Sequence, residues 1–394
     1  MAVELPPTAS EATVVEPKRF HLFGYPIAHS AAPAFHNECF AAAGLPHSFA
    51  NWSTSAVTNE ILSEIRADVC GGAAVTMPLK AAILEHLDEL TPASKATGAC
   101  NTIVKVRRAD GTFKVVGTNT DVLGVRNALL QTLKKQDPTH SAFQSNADIS
   151  KRFEPGSASA LVIGGGATTR SAIYALSQLG LQPIFLLNRD DDEVRGVIES
   201  FQVQHASSTC PELLHIRDMT DVKRYFESGS RCVLDEEQGE GRERRPNLAI
   251  IVGAIPAIPP ATLAEHRVHK LAQHIISLPH GKLTISPSPT GPSATCFLPF
   301  PSPPIFLDMA YKPRLTVMLR IAADNNWDTV GGIQAMIEQG LAQQRMWTLA
   351  SVDDSVACAG ASLLGEDVER RARALVEGME DIAVDLLEVD RATS

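Results

Sequence analysis

The chain is predicted to form two α/β domains with a cleft between them. Its 394 residues suffice for two domains that each bury a core. The first 120 residues alternate apolar strand patterns with helical patterns and end in a hairpin, which predicts a mixed α/β sheet. Over residues 160–187 a strand, a glycine-rich turn, a helix and another strand follow one another, which predicts helices packed on a second sheet.

The composition is that of a globular protein rather than a nucleic-acid-binding or membrane protein. Hydrophobic residues make up 44% and charged residues 20% of the chain, and the formal net charge is −10. Phosphate-binding surfaces need clustered Lys and Arg, and a membrane span needs roughly 18 consecutive apolar residues. The N-terminal segment has no secretory pattern, so we expect a cytoplasmic protein with a small-molecule partner, no nucleic acid and no membrane. The seven cysteines lack CxxC spacing, so neither disulfides nor a metal site is predicted.

The first domain is predicted over residues 18–121 and is completed by the helical, acidic segment 331–394. Its predicted elements, in order, are a strand over Phe20–Gly24, a helix from Pro33 to Ala43, a strand over Gly72–Thr76, a helix over Leu79–Leu90, and strands over Thr102–Val106 and Phe113–Gly117. Ala109-Asp110-Gly111 separates the last two strands and favours a hairpin turn between them. We therefore expect the last two strands to pair with each other in the mixed sheet.

The second domain is predicted over residues 122–330. Its predicted elements are strands over Ala160–Ile163, Pro183–Leu187, Ala249–Gly253 and Ile305–Asp308, with a helix over Arg170–Leu179. The first two strands and the helix form a βαβ unit of about 30 residues, which predicts a Rossmann-like sheet. A Pro- and Ser-rich stretch over 278–304 is predicted to be an exposed insertion, because proline removes backbone donors and the other residues are small and polar.

The glycine turn that follows the first of these strands suits a dinucleotide. Gly164, Gly165, Gly166 and Ala167 lie between a strand and a helix. Glycines let the backbone approach a pyrophosphate, and the first turn of a helix supplies unpaired N–H groups and a favourable dipole. The last glycine of the GxGxxG pattern is replaced by Thr169, so a tight turn without a ligand stays an alternative. The favoured interpretation is an NAD(P)-binding domain.

The end of the next strand is predicted to face the adenosine ribose. Asn188, Arg189 and Asp190 stand there and are followed by further acids up to Glu193. Arg189 suits adenine stacking or a 2′-phosphate, whereas the acids repel a phosphate and one of them suits a free 2′-hydroxyl. The sequence is thus compatible with NADP and with NAD, and the acidic residues favour NAD. Acids at a helix start are also favoured by the helix dipole alone.

Lys80 and Asp121 each follow an apolar strand pattern, and they are the candidate catalytic pair. Lys80 comes after Val75-Thr76-Met77-Pro78, and Asp121 comes after Asn119-Thr120. A lysine beside an aspartate stays charged or shares a proton with it, so the pair can move the proton of a substrate hydroxyl. The alternatives are a solvated surface lysine and an aspartate that caps the helix starting at Val122.

Seven motifs, taken in order along residues 20–350, resemble those of the shikimate dehydrogenase family. The motifs are Gly24-Tyr25-Pro26-Ile27-Ala28-His29-Ser30-Ala31-Ala32-Pro33, Val75 to Lys80, Gly98 to Thr102, Asn119-Thr120-Asp121, Gly164 to Ala167, Asp308-Met309-Ala310-Tyr311-Lys312-Pro313 and Glu338-Gln339-Gly340. The resemblance is greatest to the fungal branch, which comprises the last domain of the AROM protein and quinate-pathway dehydrogenases. It implies a substrate domain, an NAD(P)-binding domain, and oxidation of a ring hydroxyl of shikimate or quinate.

The resemblance also implies a role for individual residues. Lys80 and Asp121 match the family's catalytic pair. The implied substrate-binding residues are Asn101 and Gln339 at the ring hydroxyls, Thr76 in the same pocket, and Ser30 and Tyr311 at the substrate carboxylate. The implied cofactor-binding residues are Gly164, Gly165, Gly166, Ala167, Asn188, Arg189 and Asp190. No residue is expected to bind a metal.

Two departures from the family pattern bear on specificity. The carboxylate clamp usually has two serines two residues apart, and here Ser30 is followed by Ala32. The lost hydroxyl opens space near C1, which favours quinate with its additional hydroxyl. At Asp190 and Glu193, NADP-using members usually have Thr and a basic residue. Two alternatives stay open, namely a non-catalytic sensor of quinate or shikimate and a dehydrogenase that acts on an aminated analogue.

Overall fold

The computed structural model describes residues 15–143, 152–204, 211–227, 247–279, 297–357 and 361–379, and these residues form two six-stranded sheets flanked by helices. All strands of the first sheet precede residue 121, and those of the second lie between residues 158 and 330. The predicted fold class, a mixed α/β domain followed by a Rossmann-like domain, is confirmed. The exact domain boundaries stay a prediction.

The first sheet is mixed. Its strands are β1 (Arg19–Gly24), β2 (Ser48–Ser53), β3 (Cys70–Val75), β4 (Glu89–Leu90), β5 (Thr102–Arg107) and β6 (Phe113–Thr118). They lie in the order β2-β1-β3-β5-β6-β4. Strand β1 pairs in parallel with β2 and β3, whereas β3–β5 and β5–β6 are antiparallel. The predicted hairpin is therefore the β5–β6 pair.

The helices of this part are α1 (Ala32–Ala42), α2 (Asn59–Arg66), α3 (Leu79–Ala82) and α4 (Pro92–Thr97). The predicted helix over Leu79–Leu90 is wrong beyond α3. After a 3-10 turn the chain forms the edge strand β4, which pairs with β6. Asp88 explains the change, because its carboxylate and its amide both bond to Val115 in β6. Pairing with β6 satisfies the backbone N–H and C=O groups of this segment. The apolar spacing of the sequence does not show that such a partner strand exists.

The second sheet is entirely parallel. Its strands are β7 (Ala158–Ile163), β8 (Ile184–Leu187), β9 (Leu213–His215), β10 (Asn247–Gly253), β11 (Ile305–Asp308) and β12 (Asp328–Val330), in the order β12-β11-β10-β7-β8-β9. A parallel sheet needs crossover helices on its faces. The α-helices described between Asp121 and Asp324 are α5 (Asp121–Gln136), α6 (Ala167–Gln178), α7 (Asp191–Gln204), α8 (Met219–Val222), α9 (Leu263–Ile276) and α10 (Val317–Asp324).

The chain returns to the first sheet through its last described helices. These are α11 (Gly332–Leu349), α12 (Asp354–Ala357), α13 (Ala361–Leu364) and α14 (Glu366–Gly378). Helix α11 crosses α5 very closely, since a Cβ atom on Gly124 would lie 2.5 Å from the carbonyl oxygen of Ala335. Trp347 at the far end of α11 is buried and donates to the Ile103 carbonyl of β5. Residues of both helices also belong to the hydrophobic core around β7 of the second sheet, so α5 and α11 connect the two sheets.

Some sequence predictions fall partly outside the described residues. The predicted Pro- and Ser-rich insertion over 278–304 is described only at 278–279 and 297–304, and the helical segment from residue 331 only up to residue 379. Among the helices of the described ranges, none is long and apolar enough to cross a membrane.

Candidate active site

A cavity of about 370 Å³ lies in the cleft between the two sheets. Its walls come from the first sheet, from the loop after β11 and from α11. All seven predicted catalytic and substrate-binding residues line it, namely Ser30, Thr76, Lys80, Asn101, Asp121, Tyr311 and Gln339. Long segments of sequence separate most of these residues, so the fold brings them together.

Lys80 and Asp121 form an ion pair inside the cavity. Lys80 lies on α3, and its Nζ is 2.6 Å from Oδ2 of Asp121. The side chains are only 19% and 15% exposed, which excludes a solvated surface lysine. Asp121 is the first residue of α5 rather than its cap, because the cap position belongs to Thr120. The carboxylate therefore points to Lys80 and away from its own helix terminus.

Asn101 connects this pair to Gln339. Its Nδ2 donates to Oδ1 of Asp121 at 2.8 Å and to Oε1 of Gln339 at 3.0 Å. Its Oδ1 accepts from the Thr120 amide and from the Thr102 hydroxyl, both at 2.7 Å. These four contacts fix the orientation of the amide. The result is a rigid polar wall of carboxylate and amide groups that can hydrogen-bond ring hydroxyls.

The predicted carboxylate end of the cavity contains Ser30 and Tyr311. Ser30 precedes α1, and its Oγ accepts from the amide of Ala32 at 3.2 Å. Burial raises the pKa of the Tyr311 phenol, so the phenol stays protonated and can donate a hydrogen bond. Lys312 also lines this end, and its ammonium donates to the carbonyl oxygen of His29.

The predicted pyrophosphate turn sits beside this cavity, at the start of α6. Gly164 has a φ of +142°, and an added Cβ would lie 2.6 Å from Oγ1 of Thr169 and 2.7 Å from the Ala254 carbonyl oxygen. An added Cβ at Gly166 would meet no atom within 4 Å, so the space beside this residue is open. Within the described ranges, the buried Oγ1 of Thr169 has no hydrogen-bond partner. An open, glycine-lined helix start beside an unsatisfied hydroxyl fits a dinucleotide pyrophosphate.

The predicted adenosine side carries an unusual concentration of carboxylates. Asn188 donates to Glu193 at 2.6 Å, and a Cβ placed on Gly165 would collide with the Glu193 carboxylate. Asp190 accepts from the amides of Asp192 and Glu193 and so caps α7. Glu193 therefore places a carboxylate directly against the glycine turn.

Arg189 pairs with Glu265, a residue that the sequence analysis missed. The Arg189 guanidinium donates to Glu265. Glu265 also accepts from the Ala261 and Thr262 amides, at 2.8 and 3.0 Å, in a capping box at the start of α9. These donors lower the pKa of Glu265 to about 2, so the carboxylate is ionised. The Thr-x-x-Glu spacing of a capping box could have identified the cap, though not its contact with Arg189.

His36 and Gln343 also line the cavity, and the sequence analysis missed both. Nε2 of His36 lies 3.1 Å from Oε1 of Gln343, and Nδ1 lies 2.9 Å from Nε2 of Gln344. Gln343 in turn donates to the Thr102 hydroxyl at 2.8 Å. Burial lowers the pKa of His36 to about 3, so the ring is neutral and carries its proton on Nε2. The spacing of four residues from Gln339 to Gln343 places both on one face of α11 and was the available signal.

Comparison with known proteins gives matches in sequence and in fold. Residues 22–103 match the family model of the shikimate dehydrogenase substrate binding domain. A pentafunctional AROM polypeptide of Saccharomyces cerevisiae is 31% identical over 338 residues, which are 85% of this chain and 17% of that protein. The chain thus spans less than a fifth of the length of that relative.

Three solved structures share the fold. The dehydroquinate dehydratase and shikimate dehydrogenase of S. pombe AroM matches with a TM-score of 0.61 and 26% identity, over 91% of this chain and 53% of that chain. Quinate dehydrogenase from Corynebacterium glutamicum in complex with NAD gives a TM-score of 0.58 at 17% identity, over 92% and 100%. Shikimate 5-dehydrogenase from Thermus thermophilus in complex with NADP(H) and shikimate gives 0.53 at 24% identity, over 91% and 99%.

These matches confirm the resemblance that the motifs predicted. The matched residues include Ser30, Thr76, Lys80 and Asn101. The two structures below 25% identity support the fold only. The chain therefore carries a shikimate dehydrogenase substrate-binding domain and is homologous to the shikimate dehydrogenase region of AROM polypeptides.

Proposed function

We propose that the protein is an NAD(P)-dependent dehydrogenase that reversibly oxidises a ring hydroxyl of shikimate or quinate to the 3-dehydro ketone. The observation that carries the proposal is the Lys80–Asp121 ion pair at 2.6 Å, joined through Asn101 to Gln339 in one cavity. A proton-transfer pair beside amide groups is the arrangement that alcohol oxidation in an oriented substrate requires.

Some residues of the cavity orient the substrate, and others transfer the proton. Asn101 and Gln339 hydrogen-bond the ring hydroxyls, while Ser30 and Tyr311 hold the carboxylate. The reacting hydroxyl lies against Lys80, whose ammonium stabilises the negative charge that develops on oxygen as the proton leaves. Asp121 holds the Lys80 side chain in place, and its carboxylate accepts the proton that leaves the hydroxyl. A bound nicotinamide dinucleotide would supply the acceptor for the hydride.

We infer that NAD is preferred to NADP. The fold leaves the choice open, because structures that share it bind NAD in one case and NADP(H) in another. In this chain, Glu193 and Asp190 place negative charge at the adenosine side, and Glu265 holds Arg189. A 2′-phosphate would meet these carboxylates, and like charges at contact distance disfavour binding.

Changing the charge at this end should move the preference. We expect Asp190→Thr combined with Glu193→Arg to lower the KM for NADP at least tenfold while raising that for NAD. Threonine can still cap α7, so the helix start is preserved. The control is Asp192→Thr, because Asp192 is exposed and pairs with Arg195 on the same helix. Unchanged KM values for both dinucleotides in the double variant would exclude these residues from the adenosine site.

The carboxylate end argues for quinate. Ala32 lacks the hydroxyl that a second serine would supply, and a hydrogen bond to a charged group is worth about 1.5–3 kcal/mol. We expect Ala32→Ser to raise the ratio of kcat/KM for shikimate to that for quinate by about tenfold, because the hydroxyl fills the space near C1. Steady-state kinetics on both acids measures this ratio. An equal change for both acids would show that position 32 does not discriminate between them.

The proposed function is tested by measuring reduced dinucleotide formation with shikimate and quinate, each paired with NAD and NADP. Turnover in one combination supports the dehydrogenase and identifies substrate and cofactor together. Absence of turnover in all four, from folded protein that binds either acid, would contradict the dehydrogenase and favour a ligand sensor.

A further inference from the structure

Lys312 reaches across the cleft between the two sheets. It belongs to the loop after β11, in the second sheet, whereas the carbonyl oxygen that it contacts belongs to His29, in the loop between β1 and α1. His29 directly precedes Ser30, the residue predicted to hold the substrate carboxylate. The ammonium group therefore lies at the carboxylate end of the cavity, and Lys312 lines that cavity.

The loop that carries Lys312 is firmly positioned. Asp308 at the end of β11 is buried, and its carboxylate accepts from the Ala310 amide at 3.1 Å and from the Thr316 hydroxyl at 2.6 Å. The Lys312 Nζ lies 5.6 Å from the centroid of the Tyr311 ring. Asp308 thus anchors the chain before and after Lys312, at Ala310 and at Thr316. The flexible side chain of Lys312 can therefore bring its ammonium to another partner without a movement of this loop.

This end of the cavity has Ser30 and Ala32, whereas the motif that the sequence resembles has two serines at these positions. Ala32 replaces a hydroxyl, and the Ser30 Oγ already accepts a hydrogen bond from the Ala32 amide. A carboxylate has two oxygens that can accept several donors. A lysine ammonium is a stronger partner for a carboxylate than for a neutral carbonyl, because the attraction between two full opposite charges adds to the hydrogen bond.

We propose that Lys312 is a specificity-determining residue that binds the carboxylate of the substrate in place of the missing hydroxyl. On binding, its ammonium leaves the His29 carbonyl and pairs with the carboxylate, next to Ser30 and Tyr311. This inference rests on the proposed function, since it takes a cyclic hydroxy acid as the ligand. Its consequence is that the cavity selects an anionic acid over the neutral amide of the same acid, and that Lys312 is the source of this selection.

The test is calorimetric binding of quinate, shikimate and their primary amides to the wild type, Lys312→Met and Lys312→Arg. We expect Lys312→Met to weaken binding of the preferred acid by about tenfold or more, as the loss of one charged hydrogen bond implies. Binding of the amide should be unchanged, and Lys312→Arg should keep most of the affinity for the acid. The matched control is Lys18→Met, because Lys18 also donates to a backbone carbonyl, that of Asp68, outside the cavity.

Each result supports or overturns this role. A loss confined to the acid, with an unaltered melting temperature, supports it. An equal loss for acid and amide would mean that Lys312 only holds the two sheets together, and an unchanged affinity for the acid would remove it from the site. Both of these results leave the dehydrogenase intact. If the wild type binds neither acid, the proposed function fails, and the role of Lys312 fails with it.

Discussion

Lys80→Met is expected to lower kcat by about 10²–10⁴-fold, the range that positioned acid–base groups contribute. The methionine side chain fills similar space but has no charge with which to stabilise the negative charge that develops on the substrate oxygen. Binding of the acid should change far less, because Asn101 and Gln339 still contact each other and Thr120. Rapid single-turnover measurements with saturating dinucleotide separate the chemical step from product release.

The control for Lys80→Met is Lys114→Met. Lys114 lies on β6, outside the cavity, and its Nζ is 2.5 Å from a carboxylate oxygen of Glu89 on β4. The control therefore removes an ion pair of similar length and leaves the cavity residues unchanged. The control should keep wild-type kcat. A Lys80→Met enzyme with unaltered kcat would remove Lys80 from the mechanism, and a loss confined to KM would make it a binding residue.

Alanine substitutions at Gly164 and Gly166 are expected to affect different properties, namely the stability of the fold at Gly164 and dinucleotide binding at Gly166. Gly164→Ala should lower the free energy of unfolding by about 2–5 kcal/mol, because the methyl group meets the Ala254 carbonyl in a backbone conformation that disfavours side chains. Gly166→Ala should cost less than about 1 kcal/mol, since its methyl group enters open space at a helix cap. The same methyl group would occupy the space proposed for the pyrophosphate.

Thermal unfolding and calorimetric titration with NAD distinguish the two effects. We expect Gly166→Ala to keep the melting temperature and to weaken NAD binding at least tenfold. Gly164→Ala should unfold at a lower temperature, whatever its affinity. Wild-type affinity in Gly166→Ala would show that the dinucleotide does not approach this turn.

Local patterns in the sequence predicted much of the fold. The βαβ unit depends on residues close together in the chain, and its glycine turn lies where the pattern predicted it. The helix over Leu79–Leu90 was wrong for the opposite reason, because Asp88 pairs with Val115 in a distant strand. Apolar spacing cannot report a partner that lies outside the segment.

The candidate site also combines residues that the sequence motifs predicted with contacts that they did not predict. The structure brings Lys80 and Asp121 together as predicted, although their catalytic role stays a prediction. The contacts of Lys312 with His29 and of Arg189 with Glu265 join separate parts of the chain. No local spacing encodes those contacts, so sequence motifs alone could not have predicted them.

The close crossing of α5 and α11 has a consequence for how the cavity can change in size. Gly124 of α5 lies against both the Ala335 carbonyl and the Cβ of Gln339, at 2.5 and 3.1 Å from an added Cβ. Asp121 begins the same helix about one turn earlier. The distance between the Asp121 carboxylate and Gln339 therefore depends on how closely α5 and α11 approach each other at Gly124. The width of the pocket therefore depends on a position that does not line the cavity, and a larger residue there would push the two helices apart. Redesign for bulkier rings can begin at this crossing, with every polar group in the cavity unaltered.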